Sequence, residues 1–384
     1  MHHAKLKIMS VVGARPNFMK IAPFVHEISR FPDDFTHTLV HTGQHYDVAM
    51  SEAFFQALNI PTPDVDLEIG SGTHAEQVGK TMIAFEKVLQ ERKPDWIVVV
   101  GDVNATCACS ITAKKEHVSL AHIESGLRSF DLDMPEEINR MVTDRLSDLL
   151  FTTDTIADEN LLKEGVPANR IKRVGNIMID SLEAQRVTAT ALNLTALCSS
   201  FALPGAKNPI PPLHDNRFCV ITLHRPSNVD DITILTPLVN FLTEEVAPVL
   251  PLIWPVHPRT RKKLESFGLW ELLKKAPGII LTHPLGYHEI LRLNMGAKVM
   301  MTDSGGLQEE CCILGTPCLT LRWNTERPMT LREYGGVSVL VGNDVGRIRT
   351  EFREAAALPR TLHRPPLWDG DTAKRIVACF RELK

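Results

Sequence analysis

Short apolar runs alternate with amphipathic segments along most of the chain, and this alternation predicts parallel β-strands connected by α-helices. A first series of strands is predicted at Lys7–Val12, Thr36–His41, Trp96–Val100, Val118–Ile123 and Arg170–Val174. Helices of this series are predicted at Asn17–Phe31, Ala49–Leu58, Ala75–Glu91, Ala105–Glu116, Glu136–Ser147 and Thr155–Glu164. A second series of strands is predicted at Phe218–Thr222, Leu252–Trp254, Ile279–Leu281, Lys298–Thr302, Cys318–Leu321 and Val337–Val341. The pattern therefore predicts an α/β protein with two parallel sheets.

A break in the pattern separates the two series. Residues from about 187 to 216 show little periodicity and are rich in proline, which is typical of a surface connection. We therefore predict a first domain at 1–186, a linker at 187–216 and a second domain at 217–366. A final amphipathic helix, Thr372–Leu383, is expected to return to the first domain, which assigns about 367–384 to it. Two such domains leave a cleft between them.

Composition limits the kinds of ligand and partner that this chain can bind. A chain of 384 residues is too long for one ordinary core, and its net charge of −4 without any basic run argues against nucleic-acid binding. No apolar run approaches the roughly 18 residues that a membrane span needs, and no signal-peptide pattern is present. The eight cysteines lack zinc spacing and are predicted to be reduced core thiols. We expect a cytoplasmic protein with a small anionic ligand, no membrane contact and no metal.

The strongest sign of a ligand site is the segment Met300–Glu310, where a strand runs through Gly305 and Gly306 directly into a helix. The free backbone amides and the positive end of the helix dipole face the same way at such a junction, which suits a phosphate group. Fingerprints of dinucleotide and nucleoside-triphosphate binding, G-x-G-x-x-G and G-x-x-x-x-G-K-[ST], are absent from the sequence.

A similar junction follows the first strand, at Gly13–Asn17. Arg15 and Lys20 could address a phosphate or a sugar hydroxyl from the carboxyl edge of the sheet, where open α/β folds bind ligands. The alternative for Arg15 is a structural salt bridge at the start of the helix. In the second series, His224 and His257 each follow a strand, where they could meet a pyrophosphate or move protons.

Carboxylates follow two other strands of the first series. Asp102 and Glu124 end successive strands, so they are expected on one sheet edge, where neighbouring carboxylates can form a general acid/base pair. Glu136 and Glu137 open a helix, and Arg140 could hold Glu136 through an i,i+4 ion pair. The alternative for these two glutamates is a pair of solvated caps that the helix dipole favours.

Seven segments together resemble the non-hydrolysing UDP-N-acetylglucosamine 2-epimerase family. They occur in order along nearly the whole chain. The segments are Gly13–Pro16, His41–His45, Gly101–Thr106, His122–Arg128, Pro135–Arg140, Thr302–Glu310 and Thr325–Pro328.

This resemblance implies a GT-B fold of two Rossmann-like domains facing a central cleft, a homodimer, and catalysis without metal or nicotinamide cofactors. It implies that UDP is eliminated from the sugar and re-added after C2 is protonated on the opposite face, giving UDP-N-acetylmannosamine. The implied catalytic residues are Asp102, Glu124, Glu136 and His224. The implied substrate-binding residues are Arg15, Lys20, Arg140, His257, Ile290, Ser304, Gly305, Gly306, Glu310 and Arg327. Among these, Glu310 would take the ribose hydroxyls and Arg327 would bind across the cleft.

Two departures from the family pattern affect these expectations. The loop Gly70–His74 lacks the arginine that binds a second substrate as activator beside a glutamine like Gln44, so we expect no such activation. Ile290 stands where many members carry an aromatic residue near the uracil ring. Other readings stay open: a hydrolysing 2-epimerase, a 2-epimerase of an N-acetylated UDP-uronic acid, a GT-B glycosyltransferase, or a binder of nucleotide sugars without catalysis.

Overall fold

The computed structural model describes residues 4–43, 58–204 and 210–384, apart from the side chains of Arg15 and Pro16. The chain divides into two compact units. Unit 1 comprises Met1–Ala184 and Pro365–Lys384, and unit 2 comprises Gln185–Arg364. Within the described residues, none of the helices combines the length and the apolar character that crossing a membrane requires.

Unit 1 contains a parallel sheet of seven strands in the order β3-β2-β1-β4-β5-β6-β7. The strands are β1 Leu6–Val12, β2 Phe35–His41, β3 Val65–Asp66, β4 Trp96–Val100, β5 Ser119–Ser125, β6 Leu149–Thr152 and β7 Ile171–Arg173. The helices that connect them are α1 Arg15–Ile28, α2 His74–Arg92, α3 Asn104–Lys115, α4 Pro135–Leu146, α5 Thr155–Lys163 and α6 Ile177–Thr190. Helix α6 begins in unit 1 and ends in unit 2.

Unit 2 contains a parallel sheet of six strands in the order β10-β9-β8-β11-β12-β13. The strands are β8 Cys219–Thr222, β9 Leu252–Pro255, β10 Ile279–Thr282, β11 Val299–Thr302, β12 Cys318–Thr320 and β13 Ser338–Leu340. The helices are α7 Leu194–Phe201, α8 Pro226–Val229, α9 Ile232–Phe241, α10 Pro258–Ser266, α11 Trp270–Lys275, α12 Tyr287–Gly296, α13 Gly305–Leu314 and α14 Val345–Ala357.

Central strands such as β4 and β11 are almost entirely apolar and buried, as expected where helices cover both faces of a parallel sheet. In β8, Ile221 belongs to the core cluster on one face and Val220 to the cluster on the other, as the two-residue period of a strand requires. The same alternation in unit 1 places Met9 and Val11 together with Ile97 on one face. Continuous apolar runs in the sequence were therefore a reliable signal, and every predicted strand is present with small shifts at its ends.

The segment predicted as an irregular linker contains regular structure instead. Helix α7 lies inside it, because Leu194, Leu197 and Cys198 recur at helical spacing and are buried against the core of unit 2. The division between the units falls within α6, ahead of the predicted linker. Strands β3 and β6 and helix α6 were not predicted. The helix predicted at 49–58 lies, except for Leu58, outside the described residues.

The last helix, α15 Thr372–Glu382, packs in unit 1. Phe380 is fully buried, and its ring lies edge-on to Trp96 and to Phe151 at centroid distances of 5.5 Å and 5.8 Å. The carboxylate of Asp180 accepts hydrogen bonds from the first backbone amides of α15, at 2.8 Å from Ala373 N. An aromatic anchor and a shared carboxylate therefore join the end of the chain to its first sheet.

We expect Phe380→Ala to lower the free energy of unfolding by about 3–5 kcal/mol, because it empties a fully buried aromatic site. Urea unfolding followed by tryptophan fluorescence measures this change. The control is Leu383→Ala at a half-exposed position just beyond the same helix, where we expect a loss below about 1 kcal/mol. Equal losses in the two variants would show that α15 is not anchored through Phe380.

Candidate active site

In unit 1, the loop between β1 and α1 is tied to the end of β4 by Asn17. Its side-chain oxygen accepts hydrogen bonds from Gly13 N at 3.2 Å and Ala14 N at 3.1 Å. Its amide nitrogen donates to Val100 O at 2.9 Å. Asn17 is buried, and its hydrogen bonds hold the start of α1 beside the residues that follow β4. Lys20 lies on α1 about one turn further along.

Lys20 and Glu124 form a buried ion pair, with side chains 6% and 3% exposed. Gly101 lies against this pair, with a φ of +66°. A Cβ on Gly101 would lie 3.0 Å from Lys20 Nζ and 3.5 Å from Glu124 Oε2, so a larger residue would crowd the pair. The predicted phosphate ligand Lys20 therefore neutralises a predicted catalytic carboxylate in this structure.

The backbone of Glu124 is in the left-handed region, with a φ of +72°. The pairing register of β5 with β6 shifts between Ile123 and Ser125, so Glu124 occupies a bulge. A bulge redirects a side chain at the edge of a sheet, and a non-glycine residue at positive φ stores strain that functional sites retain. This local backbone geometry directs the side chain of Glu124 towards Lys20.

Asp102 is paired with a guanidinium rather than with Glu124. Arg140 Nη1 donates to Asp102 Oδ2, and Arg140 Nη2 donates to Glu137 Oε2 at 2.6 Å. Asn139 also donates to the backbone oxygen of Asp102 at 2.9 Å. Each of the two predicted acid/base carboxylates therefore has its own cation, Arg140 for Asp102 and Lys20 for Glu124.

The predicted ion pair between Arg140 and Glu136 is wrong, because Arg140 binds Glu137 instead. Glu137 is buried and accepts hydrogen bonds from Ser129 N at 3.0 Å and Phe130 N at 2.9 Å, which point it inward. Burial raises the pKa of Glu137, but these backbone hydrogen bonds and Arg140 together hold it below its usual value. Glu136 is exposed at the start of α4.

A second buried network of hydrogen bonds holds the backbone at the end of β4. His122 Nδ1 lies 2.7 Å from Asp144 Oδ1, and His122 Nε2 lies 2.9 Å from Gly101 O. Arg128 donates to Asp144 at 2.7 Å. Burial raises the pKa of Asp144, but His122 and Arg128 outweigh burial and hold this pKa below its usual value. The peptide that carries Asp102 is therefore held in place through Gly101 O.

In unit 2, the predicted strand-to-helix junction is present. Strand β11 ends at Thr302, and α13 begins at Gly305 after Ser304 as its N-cap. Ser304, Gly305 and Gly306 are half-buried. A Cβ on Gly305 would press against the guanidinium of Arg327, so a side chain there would displace the arginine from the start of the helix.

Arg327 is buried and ion-paired inside unit 2. Its Nε lies 3.0 Å from Glu309 Oε1, and its Nη1 pairs with Glu326. Glu326 also pairs with Arg322 Nη2 at 2.6 Å. The residue predicted to bind across a cleft is thus part of a charge network beside the start of α13, where it adds positive charge.

His224 follows β8, and its ring is fixed by Asp303, which follows β11. His224 Nδ1 lies 2.7 Å from Asp303 Oδ1, and the His224 side chain is 44% exposed. The ring of His257 lies 5.7 Å from that of His224, and His257 Nδ1 accepts a hydrogen bond from Arg259 N at 3.2 Å. The two predicted histidines are therefore neighbours.

Glu310 lies in α13 and is fully buried. Burial raises the pKa of Glu310 to about 7, against the lowering effect of Tyr287 and Asn294. Ile290 is half-buried on α12 and packs against the core of unit 2. The predicted ribose ligand is therefore an acid that titrates near neutral pH.

Sequence reasoning assigned no specific role to three residues that shape the site, namely Asn17, Glu137 and Asp303. Asp303 lies within the Thr302–Glu310 segment, and its position directly after a predicted strand was the available signal. The side chain of Arg15, together with Gln44, lies outside the described part of the structure. In the described residues, no group of three or more His, Cys, Asp or Glu side chains could hold a metal ion.

Comparisons with known proteins identify the family. Residues 26–381 match the family model of UDP-N-acetylglucosamine 2-epimerase. The chain is 39% identical over 374 residues to UDP-N-acetylglucosamine 2-epimerase of Methanocaldococcus jannaschii, covering 97% of this chain and 98% of that relative. The chain belongs to the UDP-N-acetylglucosamine 2-epimerase family.

One further relative and one solved structure extend the comparison. UDP-2,3-diacetamido-2,3-dideoxy-D-glucuronate 2-epimerase of Pseudomonas aeruginosa is 40% identical over 339 residues, covering 88% of each chain. The crystal structure of the Methanocaldococcus jannaschii epimerase in complex with UDP-GlcNAc and UDP matches with a TM-score of 0.86 and 38% identity, covering 98% of this chain and all of that one. The predicted family and the GT-B class of two parallel-sheet domains are thereby confirmed.

Stability of this epimerase-family chain should depend on pH through Glu310. Because the pKa of Glu310 is about 7 in the folded protein and 4.5 for an ordinary glutamate, as in the unfolded chain, its contribution to stability is present at low pH and is lost as the pH rises through about 7. We expect Glu310→Gln, which resembles the protonated acid, to match wild type near about pH 5. It should be more stable than wild type by roughly 2–3 kcal/mol near about pH 8.

Urea unfolding of both proteins at the two pH values measures this difference. Burial also raises the pKa of Asp180 to about 6, but Asp180 is common to both proteins and cancels in the comparison. A constant difference between variant and wild type at both pH values would contradict the raised pKa of Glu310.

Proposed function

We propose that this protein interconverts UDP-N-acetylglucosamine and UDP-N-acetylmannosamine by inverting carbon C2 of the sugar. Membership of the 2-epimerase family carries the proposal. The geometry supports it through two ion-paired carboxylates, one after β4 and one near the end of β5, and through a histidine after β8 and a helix start after β11. Those are the groups that proton transfer and diphosphate release need.

The chemistry explains why both kinds of group are required. The carbon C2 carries no adjacent carbonyl, so removal of its proton alone would leave an unstabilised carbanion. Elimination of UDP from C1 at the same time gives 2-acetamidoglucal, and re-addition of UDP with protonation on the other face gives the epimer. Two faces require two groups that handle protons, and the departing diphosphate requires fixed positive donors.

Two ion pairs support a role for these carboxylates. Asp102 pairs with Arg140 and Glu124 pairs with Lys20, so each carboxylate is held in a fixed position. The Asp102 side chain is 22% exposed, so a ligand can reach it, whereas the Glu124 side chain is buried against Lys20. We propose that Asp102 and Glu124 exchange protons with C2, with Glu136 beside them at the sugar ring.

We propose that the diphosphate binds at Ser304, Gly305 and Gly306, with Arg327 and His224 beside it. The start of α13 offers backbone amides and a positive dipole, and Arg327 crosses Gly305. We further propose that Arg15 and Lys20 contribute phosphate contacts, that Glu310 binds the ribose hydroxyls, and that His257 and Ile290 line the nucleotide site.

A second candidate substrate is a UDP-uronic acid with acetamido groups. The relative from Pseudomonas aeruginosa that carries this activity in its name is 40% identical to this chain. The proposed elimination would be the same for that sugar, because the reacting carbons C1 and C2 are the same. The two substrates differ in the group at C6, so a direct comparison of turnover separates them.

We propose that the protein is a cytoplasmic homodimer. In unit 1, Phe130, Leu132, Ile138 and Met141 are exposed large apolar residues in and just before α4, and such exposure marks protein interfaces. All eight cysteines are free thiols, and seven of them are buried, which fits a reducing compartment.

Incubation in deuterium oxide tests the proposed reaction. We expect UDP-N-acetylglucosamine alone to give UDP-N-acetylmannosamine that carries deuterium at C2, because the proton is lost and regained through exchangeable groups. Proton NMR identifies the product and the label. Epimerisation with full retention of the original hydrogen would contradict elimination, and release of free N-acetylmannosamine would indicate a hydrolase. Faster turnover of the diacetamido uronic acid would favour the second candidate.

Removal of single carboxylates tests the proposed proton carriers. We expect Asp102→Asn, Glu124→Gln and Glu136→Gln each to lower kcat by roughly 10² or more, since general acid/base steps contribute about 10²–10⁴-fold. The affinity for UDP, measured by calorimetry, should stay within about threefold. The matched control is Asp148→Asn, which removes the ion-pair partner of Lys114 just ahead of β6, away from the carboxyl edge. Loss of UDP affinity in all three variants would show that they bind rather than catalyse.

A further inference from the structure

Asp303 is a fully buried carboxylate in unit 2, surrounded by hydrogen-bond donors. Its Oδ2 accepts from His224 N at 3.0 Å, Arg225 N at 2.9 Å and Asn228 Nδ2 at 3.1 Å. Its Oδ1 faces His224 Nδ1 at 2.7 Å. The carboxylate thus joins the end of β11 to the residues that follow β8. Oδ1 is the oxygen that faces the histidine ring, and it also accepts a longer hydrogen bond from His224 N at 3.3 Å.

This arrangement determines the protonation pattern of the ring. An ionised carboxylate accepts hydrogen bonds only, so the proton of a neutral His224 resides on Nδ1. The lone pair of Nε2 then points away from Asp303, on a side chain that is 44% exposed. When a second proton binds, Nε2 becomes a donor, and the imidazolium lies against a fixed negative charge.

We propose that Asp303 is a positioning residue that keeps the Nδ1 proton and the ring orientation of His224, so that Nε2 can take up a proton and donate it to the departing diphosphate. This inference rests on the proposed function. UDP carries one more negative charge after it leaves the sugar than before, so a cation placed there stabilises the departing state more than the bound substrate.

Asp303 itself stays ionised throughout. Burial raises its pKa, but the hydrogen bond and charge of His224, together with the backbone amides of Arg225 and His224, outweigh burial and lower it. The proton therefore moves between His224 Nε2 and the ligand, and Asp303 supplies orientation and charge without accepting it.

The unequal environments of the two oxygens predict what an amide would do in this position. In Asp303→Asn, the side-chain oxygen should stay at the Oδ2 position, because three donors converge there. The amide NH₂ group would then face His224 Nδ1 and donate to it. Nδ1 would have to lose its proton, so the neutral ring should adopt the opposite tautomer, with the proton on Nε2.

The ¹⁵N NMR spectrum of histidine-labelled protein tests this directly, with His224→Gln used to assign the His224 signals. We expect the neutral ring of wild type to carry its proton on Nδ1 and that of Asp303→Asn to carry it on Nε2. The matched control is Asp231→Asn, since Asp231 also accepts a backbone hydrogen bond, from Thr233 N, in the same unit. That variant should keep the wild-type tautomer.

Kinetics then distinguishes positioning from a merely structural role. We expect Asp303→Asn to lower kcat by roughly 10²-fold while KM for the UDP-sugar stays within about threefold, because the loss falls on the departing state. Its affinity for UDP should fall by more than its affinity for the UDP-sugar. Equal loss of both affinities would contradict the proposal.

The wild-type spectrum alone can overturn the proposal, whether or not the variant folds. A neutral His224 with its proton on Nε2 would show that Asp303 does not control the ring. The tautomer does not depend on turnover, so it remains decisive even if the protein failed to epimerise UDP-N-acetylglucosamine, which would contradict the proposed function instead.

Discussion

At the carboxyl edge of each sheet, the need to compensate buried charge determines how the ionised side chains are paired. Taking an ionised group out of water is costly, so such groups persist inside a protein only with partners. Lys20 neutralises Glu124, Arg140 joins Asp102 to Glu137, and backbone amides and a histidine surround Asp303. Removing one partner would leave the other charged and buried. Each proposed catalytic group of the two sheet edges, Glu136 excepted, is therefore held by a cation or a hydrogen-bond partner.

Sheet topology explains why these particular residues meet. Strand order reverses between β1 and β4 in unit 1 and between β8 and β11 in unit 2, and open α/β sheets bind ligands at such a point. Lys20 follows β1 and Asp102 follows β4, whereas His224 follows β8 and Asp303 follows β11. The connections diverge to opposite faces of the sheet at that point. Side chains from distant parts of the sequence are thereby brought together at each edge.

The sequence predicts the strands and the ends at which polar residues gather, because apolar runs and their endings are local features. It does not predict the partners. Glu136 and Glu137 are adjacent, and only the amides of Ser129 and Phe130 decide that Glu137 turns inward to Arg140. The positive φ of Glu124 depends on a register shift against β6, a strand that was itself not predicted. Likewise, helix α7 was not predicted, because its apolar face is short and prolines follow it in the sequence.

Asp303 and Glu310 show how much the partners matter where burial is equal. Both carboxyl groups are buried near the start of α13 or within it. Two backbone amides and a histidine surround Asp303, and together they lower its pKa in spite of burial. Burial raises the pKa of Glu310 to about 7, because Tyr287 and Asn294 offset that effect only in part. Environments that push two pKa values apart separate two roles on one site. Asp303 is thus a negatively charged partner for the ring of His224, whereas the raised pKa of Glu310 leaves part of its population protonated near neutral pH, and a protonated carboxyl group can donate a hydrogen bond.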